Sequence, residues 1–198
     1  MSVLISVPTY ESISTETYKA LWELDTAGHD AMFEAVKGYD CALARIKMCE
    51  KAQEYGAEWL LMVDSDTVPP IDALANMLEL DADVVLGYYQ WKNRPQGETC
   101  LWKYGNWTTR YTANELHSLE TAGITKLRVQ GGGMGCSLVR VGILKKLPRP
   151  WFRWVVKPDG GETGEDVYFC NLCRDNGVQV YADTRAACGH AYRSLHEV

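Results

Sequence analysis

Residues 60–70 of the chain read Leu60-Leu61-Met62-Val63-Asp64-Ser65-Asp66-Thr67-Val68-Pro69-Pro70. An apolar run that ends at two acids and a proline pair predicts a strand buried on both faces. Because alternate side chains of a strand share a face, we expect Asp64 and Asp66 to point to one side of its end, roughly 6–7 Å apart. A divalent cation would offset their repulsion, and oxygen ligands suit Mg²⁺ or Mn²⁺. The alternative is a solvated turn in which one aspartate caps the next helix.

The composition permits an ordinary soluble enzyme. The chain has 198 residues, of which 46% are apolar, enough for one full-sized domain with its own core. A net charge of −6 argues against a nucleic-acid partner. No apolar run approaches the ~20 residues of a membrane span and no signal pattern opens the chain, so no transmembrane segment is expected. Seven cysteines without disulfide-framework spacing favour a reduced, cytoplasmic location.

Apolar runs alternate with helical patterns along the chain. Strands are predicted over residues 3–7, 31–36, 60–63, 83–89 and 178–182, and helices over 15–27, 41–55, 71–80 and 164–176. This alternation is typical of an α/β fold, in which helices cover both faces of a mostly parallel sheet. Ligands of such sheets bind beyond the carboxyl ends of the strands. We therefore expect Thr9-Tyr10-Glu11 to lie beside Asp64-Ser65-Asp66.

The second half of the chain is rich in tryptophan and glycine. Trp91, Trp102 and Trp107 lie among polar residues without clear periodicity. The segment 129–139 then places four glycines in five positions before an apolar run, and glycine permits close approach of the backbone to a ligand. The loop lacks the lysine of a P-loop, and no GxGxxG follows the first strand, so neither nucleotide-binding motif is present.

The late acids and histidine each have a structural and a functional interpretation. Thr163 precedes Asp166 by three residues, as in a capping box, so a helix ending at Gly177 would account for Glu165 and Asp166 without any chemistry. The functional interpretation is a catalytic pair. His190, alone near the end of the chain, is either a surface or core histidine or a ligand.

A basic, aromatic segment lies between these motifs. Residues 140–157 contain six basic and no acidic residues, together with Trp151, Phe152 and Trp154. One interpretation is a loop that closes over a diphosphate and stacks on an acceptor sugar. The other is a solvated basic loop with buried tryptophans.

In order and spacing, these motifs resemble those of nucleotide-sugar glycosyltransferases of the GT-A fold, especially the inverting, family 2-like enzymes. The resemblance covers nearly the whole chain and is carried by Pro8-Thr9-Tyr10-Glu11, Ala44-Arg45, Asp64-Ser65-Asp66, the glycine loop 131–136, Pro150-Trp151-Phe152, Glu165-Asp166 and Cys188-Gly189-His190. It implies a single GT-A domain over residues 1–198, with a Rossmann-like nucleotide-binding half (about 1–90) and a smaller acceptor and catalytic half (about 91–198).

The resemblance also implies roles for the motif residues. The nucleotide would be bound by Pro8, Thr9, Tyr10, Glu11, Arg45, Asp64 and Ser65, with Tyr10 a candidate to stack on the base. The metal would be bound by Asp64, Asp66 and His190. The catalytic base would be Asp166, with Glu165 as its neighbour. The donor and acceptor sugars would be bordered by Gly132, Gly133, Trp91 and Trp151.

The activity that the resemblance implies is metal-dependent transfer of one sugar from a nucleotide-diphosphate sugar to an acceptor hydroxyl, with inversion. UDP is the expected nucleotide, Mn²⁺ or Mg²⁺ the expected cofactor, and a carbohydrate or another hydroxyl compound the expected acceptor. The chain reads Ala44-Arg45-Ile46 where the family often has Ala-Arg-Asn. It also lacks the QxxRW motif of processive synthases, so single transfer is expected rather than polymerisation.

Two other functions fit part of the sequence. The segment Asp64-Ser65-Asp66-Thr67 matches the DxDxT motif of haloacid-dehalogenase-type phosphatases, in which Asp64 would be the nucleophile. Those enzymes usually carry the motif on their first strand and need a later lysine and a paired-aspartate motif, and no second acidic pair of that kind is evident here. The other alternative is a GT-A-like module that binds a sugar or a nucleotide without catalysis.

Overall fold

The structure, a computed structural model, describes residues 2–91, 97–156 and 158–191. The strands are β1 (Ser2–Thr9), β2 (Asp30–Lys37), β3 (Trp59–Val63), β4 (Thr67–Val68), β5 (Val84–Tyr88), β6 (Glu98–Lys103), β7 (Arg110–Thr112), β8 (Lys126–Gly131), β9 (Cys136–Arg140), β10 (Val155–Val156), β11 (Glu162–Thr163), β12 (Val180–Ala187) and β13 (Gly189–His190). The helices are α1 (Thr15–Trp22), α2 (Cys41–Glu54), α3 (Ala73–Glu79), α4 (Ala113–Thr121) and α5 (Glu165–Asp175), with a 3₁₀ helix at Val141–Lys145.

A nine-stranded sheet forms the centre of the fold, in the order β2-β1-β3-β9-β5-β12-β8-β6-β7. β1 pairs in parallel with β2 and β3, and β5 pairs in parallel with β12. β9 lies antiparallel between β3 and β5, and β8 and β7 also run against their neighbours. The remaining strands share one direction, so the predicted α/β fold with a mostly parallel central sheet flanked by helices is confirmed.

β3 is buried along its whole length, as its apolar sequence predicts. Leu60 and Met62 pack into one core with residues of α2 and α5, whereas Leu61 and Val63 pack into a second core with residues of α3. Burying such a side chain contributes about 1.5–3 kcal/mol. A one-residue slip of β3 would exchange the two faces, so this packing fixes where the acids after Val63 emerge.

Two element ends lie five residues from their predicted positions. α1 ends at Trp22 rather than near residue 27. The Asp25 carboxylate accepts a hydrogen bond from the Ala27 N–H at 2.8 Å, and Ala27 has a positive φ, so a turn replaces the last part of the predicted helix. β12 continues to Ala187, past its predicted end at residue 182. Inside this extension Arg185 donates hydrogen bonds to the buried Asp183 carboxylate. Charged residues of this kind are not typical of a buried strand, so the sequence pattern does not predict the extension.

The segment 98–131 contains three strands and a helix that the sequence patterns do not predict. β6 and β7 form an antiparallel pair at the edge of the sheet, and α4 follows with a capping box between Thr112 and Glu115. β8 then returns to the sheet between β12 and β6.

The division of a single domain into two halves that meet near residue 90 stays a prediction. In the described ranges no helix is long and apolar enough to cross a membrane.

Candidate active site

The segment after β3 is a turn rather than a continuation of the strand. The Asp64 N–H donates to the Gly135 carbonyl at 2.8 Å, and the Thr67 N–H donates to the Asp64 carbonyl at 3.0 Å, which closes the turn. The Ser65 carbonyl accepts a hydrogen bond from the Ser14 N–H at 2.8 Å. The expectation that strand geometry carries both aspartates to one side is therefore wrong, because the backbone there is not extended. The two carboxylates have different partners.

Asp64 is held by a buried arginine of α2. Arg45 is 3% exposed, and its Nη2 lies 2.9 Å and 3.2 Å from the two carboxylate oxygens of Asp64. Its Nε lies 3.5 Å from Glu165 Oε1, and its Nη1 donates to the Met134 carbonyl at 3.4 Å. Burial disfavours the charged form, but Asp64 and Glu165 outweigh burial and hold the pKa of Arg45 above its ordinary value. One fixed guanidinium thus joins the end of β3 to the start of α5.

Asp66 is paired with His190 instead. Asp66 Oδ2 lies 3.2 Å from His190 Nε2. The antiparallel pairing of β13 with β4 sets His190 opposite Thr67, and the Ala191 N–H donates to the Asp66 carbonyl at 2.7 Å. The imidazole also packs against the Tyr89 ring, with 5.3 Å between ring centroids. The structure thus brings His190 to the acidic turn, and its role as a ligand stays a prediction.

A cavity of about 390 Å³ opens at this turn, and we call it the tip cavity. It is lined by Ser12, Ser14 and Ala191 and by four residues of the predicted motifs, Tyr10, Glu11, Ser65 and Asp66. Tyr10 is 75% exposed, so its ring is open for stacking on a planar ligand. Pro8 and Thr9 end β1 just before Tyr10. The Thr9 hydroxyl is buried without a hydrogen-bond partner among the residues that the structure describes.

A larger cavity, of about 710 Å³, lies at the start of α5, and we call it the tryptophan cavity. Its lining includes Trp91, Trp102, Trp107, Trp154, Arg110, Glu162, Glu165, Asp166 and Asn171. Trp91 is the one predicted sugar-binding tryptophan in this lining. Trp102 and Trp107 were not predicted as site residues, although isolated tryptophans in polar sequence are the signal by which they could be found. Trp154 belongs to the basic, aromatic segment for which stacking on an acceptor sugar was one interpretation. The structure therefore adds an aromatic wall to the predicted acids.

The other predicted sugar-binding residues lie in the protein interior. Trp151 is 2% exposed, and its indole N–H donates to the Leu144 carbonyl at 3.2 Å. Trp151 belongs to the core and lines neither cavity. Its only polar group, the indole N–H, is bound by a carbonyl of the 3₁₀ helix. Gly132 and Gly133 are buried as well. A Cβ at Gly132 would lie 2.6 Å from Leu101, and one at Gly133 would collide with the Tyr89 hydroxyl, so these glycines make room for protein side chains.

Asp166 lies in the first turn of α5 and faces the tryptophan cavity. The predicted capping box is wrong, because Thr163 belongs to β11 and Gly164 is the N-cap residue. Asp166 Oδ1 accepts a hydrogen bond from the Val167 N–H at 2.7 Å, and a Cβ at Gly164 would lie 2.9 Å from that oxygen. Burial, and then the negative charge of Glu165, raise the pKa of Asp166 above its ordinary value. A carboxylate of this kind is suited to accept a proton.

The chain is similar over 98% of its length to two solved structures of known fold. A197 from STIV superimposes with a TM-score of 0.66 at 19% identity, and 87% of that chain is covered. GalNAc-T7, in a crystal structure with UDP, GalNAc and Mn²⁺, superimposes with a TM-score of 0.69 at 12% identity, and this chain spans 44% of its length. No family model and no curated protein matches the chain. The fold is GT-A-like. At these identities the likeness shows the fold alone.

The side chains at the acidic turn provide part of the ligand set that a divalent cation needs. In the described part of the chain no group of three or more His, Cys, Asp or Glu side chains is arranged to hold a metal ion. The predicted ligand set of Asp64, Asp66 and His190 is divided, because Asp64 faces Arg45. Asp66, which lines the tip cavity, still places a carboxylate oxygen 3.2 Å from Nε2 of His190, which lines a separate cavity with Tyr89. Cations such as Mg²⁺ often take one or two protein ligands and complete their shell with phosphate oxygens and water.

Two arginines of the basic segment 140–157 are engaged with the protein itself. Arg140 forms ion pairs with Asp81 and Asp83 at 2.7 Å and 3.0 Å, and Arg149 forms one with Glu50 at 2.9 Å. Lys157 lies outside the described residues. The described part favours the interpretation of a basic loop with a buried tryptophan, from which Trp154 extends into the tryptophan cavity. Closure over a diphosphate stays a prediction.

Proposed function

We propose that the protein transfers one sugar from a UDP-sugar to an acceptor hydroxyl, using a divalent cation at the tip cavity and Asp166 as the general base. The observation that carries this proposal is the position of Arg45, which binds Asp64 and Glu165 at the same time. This contact connects the acidic turn, where a nucleotide diphosphate would bind, to the carboxylates of the tryptophan cavity. A donor and an acceptor bound on the two sides would meet near Asp166.

The donor side of the proposal is supported by the chemistry of the tip cavity. The exposed ring of Tyr10 suits stacking on a nucleobase, and Pro8, Thr9, Glu11 and Ser65 would complete the nucleotide site. Asp66 and His190 would hold Mn²⁺ or Mg²⁺, whose charge would stabilise the leaving diphosphate. The crystal structure of GalNAc-T7 contains UDP and Mn²⁺, which supports UDP and Mn²⁺ as the first choices here.

The acceptor side is supported by the buried carboxylate of Asp166. An acceptor hydroxyl is a weak nucleophile, so a base must take its proton as it attacks the anomeric carbon. In the proposed step the acceptor oxygen bonds to that carbon, the bond to the diphosphate oxygen breaks, and Asp166 receives the proton. Glu165 stays paired with Arg45 and adds negative charge beside the base. A single displacement of this kind inverts the anomeric configuration.

The test of this proposal is metal-dependent binding of UDP, measured by thermal unfolding, together with release of UDP from a panel of UDP-sugars. UDP with Mn²⁺ should stabilise the protein by about 2.7 kcal/mol at a hundredfold excess over its Kd, because only the folded state binds. Asp66→Asn should abolish this shift. Asp72→Asn is the matched control, since Asp72 is exposed and makes no capping hydrogen bond at the start of α3.

Stabilisation by UDP that is equal with and without Mn²⁺, or that survives in Asp66→Asn, would contradict the proposed cation site. UDP binding without any release of UDP from the sugars would point to the alternative of a binding module. The phosphatase alternative gains no support from the structure, since both carboxylate oxygens of Asp64 are bound by Arg45.

A further inference from the structure

We infer that the acceptor is an uncharged glycan, bound by stacking on the tryptophans of the tryptophan cavity. This inference rests on the proposed function, because it names the substrate class for the acceptor side of that site. The juxtaposition that carries it is a group of tryptophans that lines the same cavity as the proposed base. The wall comes from Trp91, Trp102, Trp107 and Trp154, and the carboxylate is Asp166.

The aromatic wall is built from four separate segments that the fold brings together. Trp91 follows β5, Trp102 lies in β6, Trp107 lies between β6 and β7, and Trp154 precedes β10. Trp102 and Trp107 meet edge to face, with ring centroids 5.2 Å apart and an interplanar angle of 69°. Trp154 is 54% exposed, which leaves much of its indole available to a ligand. Tryptophan is among the residues that most often anchor a binding partner.

A sugar ring matches this combination of surfaces. One face of a pyranose carries C–H groups and is apolar, whereas its hydroxyl groups lie around the edge. The apolar face can stack on an indole, and the hydroxyls can bond to the polar side chains of the same cavity, Asn171 and Glu162. The cavity volume of about 710 Å³ lies within the range of ~300–1,000 Å³ that small-molecule sites occupy. A ligand seated in this way would hold a hydroxyl close to Asp166.

The charges of the cavity argue against an anionic acceptor. Its lining contains Glu162, Glu165 and Asp166. A phosphate or carboxylate on the ligand would be repelled by these groups and would further oppose ionisation of the base. The cationic side chain of the lining, Arg110, lies over Trp102 and Trp91, with its Cζ 3.7 Å and 4.6 Å from their ring centroids, and donates to the Thr99 carbonyl at 3.2 Å.

The position of Arg110 argues against a cationic acceptor as well. Its guanidinium already covers a face of two tryptophans, so it would repel a ligand ammonium that sought the same rings. An uncharged ring stacks on the remaining indole surface without either penalty. The tryptophan surface of the lining therefore favours a neutral sugar ring over a charged one.

The experiment is a titration of intrinsic tryptophan fluorescence with four hexasaccharides of matched length, in the presence of UDP and Mn²⁺. The probes are N-acetylchitohexaose (neutral), its deacetylated form (cationic) and a hyaluronan hexasaccharide (anionic), with cellohexaose as a second neutral probe. At least one neutral probe should bind, and more tightly than either charged one. Trp154→Ala should weaken that binding about tenfold, as truncation of an aromatic anchor does. Trp22→Ala is the control, because Trp22 lies on α1 and is 80% exposed.

The outcomes separate this inference from the proposed function. Thermal stabilisation by UDP with Mn²⁺ should be unchanged in Trp154→Ala, because Trp154 does not line the tip cavity. If UDP binds but no neutral probe does, or a charged probe binds more tightly, the inference fails and the proposed function stands. Equal binding of the probe to Trp154→Ala and to the wild type would also overturn it. If a neutral probe binds and UDP does not, the glycan site stands and the proposed transfer fails.

Discussion

The tip cavity and the tryptophan cavity are built in opposite ways. The tip cavity lies where β1 and the turn after β3 end, and short motifs close to those strands line it. The tryptophan cavity draws side chains from the ends and links of β5, β6, β7, β10 and α5. The first is therefore a product of sheet topology, which places strand ends at one edge. The second depends on long-range packing of an irregular region.

This difference suggests a division of labour. A nucleotide diphosphate is the same chemical group for every donor, so a site set by topology can serve it. An acceptor varies from protein to protein, and irregular segments on a rigid sheet can vary without disturbing the core. Arg45 connects the regions of the two cavities, since its guanidinium reaches Glu165 of the tryptophan cavity and Asp64, the residue before Ser65 and Asp66 of the tip cavity.

Removal of the proposed base should produce the largest effect and should separate the two cavities functionally. Asp166→Asn keeps the size of the side chain and removes its capacity to accept a proton. We expect the kcat of transfer to fall by about 10²–10⁴, because general-base catalysis is worth that much. The affinity for UDP with Mn²⁺ should be unchanged, since the tip cavity does not include Asp166. Steady-state transfer and calorimetric titration with UDP measure the two quantities.

The control for this prediction is Asp175→Asn, at the exposed opposite end of α5. It should retain normal transfer. A normal rate in Asp166→Asn would remove Asp166 from the role of base, and a loss of UDP affinity would show that the two cavities are not separable in the proposed way.

Removal of the link between the cavities should mainly affect stability. Arg45→Met fills similar space but leaves Asp64 and Glu165 without their buried partner. We expect the free energy of unfolding to fall by about 3–5 kcal/mol, as measured by urea denaturation, because an uncompensated buried charge is costly. Arg149→Met removes an arginine that is 56% exposed in its ion pair with Glu50, and should cost about 1 kcal/mol or less.

The comparison of these two arginine variants tests whether Arg45 is a structural link. Equal losses in both would mean that Arg45 stabilises no more than a surface pair does. Arg45→Lys keeps the charge but lacks the planar group that reaches both carboxylates, so its unfolding free energy should lie between those of Arg45→Met and the wild type.

The tip cavity could largely be predicted from the sequence for a physical reason. The apolar run from Leu60 to Val63 predicts a buried strand, and the sheet topology then determines at which edge of the sheet the following acids lie. The pairing of Asp66 with His190 was expected, although the residues are far apart in sequence. The division of the two aspartates was not, because a turn depends on hydrogen bonds such as that from the Asp64 N–H to the Gly135 carbonyl.

The tryptophan cavity could be predicted only in outline. Trp91 and the Glu165-Asp166 pair were expected near the sugars, but the wall that faces them requires the pairing of β6 with β7 and β8. Those strands carry register shifts and mixed polarity, so they have no clear period-two pattern. Trp151 shows the opposite case, because it was predicted to border the sugars and lies in the core. Tryptophans of the core and of a cavity look alike in sequence, and only packing separates Trp151 from Trp154.

The smallest predicted effect is a shift in the pH dependence of transfer, and it tests whether the acids of the tryptophan cavity act on one another. The base form of Asp166 appears only above its pKa, which burial raises first and Glu165 raises second. The acid limb of kcat/KM should therefore lie at higher pH than for an ordinary aspartate. Glu165→Gln removes the neighbouring charge, so the acid limb should move to lower pH. Because burial is unchanged, the limb should not fall to the ordinary value.

Glu162→Gln is the control, since Glu162 is exposed in the same cavity and is not among the causes of the raised pKa. If both variants move the limb equally, a general loss of negative charge explains the shift, and the specific pairing of Glu165 with Asp166 does not. If neither moves it, burial alone sets the pKa of the base, and Glu165 acts only as the partner of Arg45.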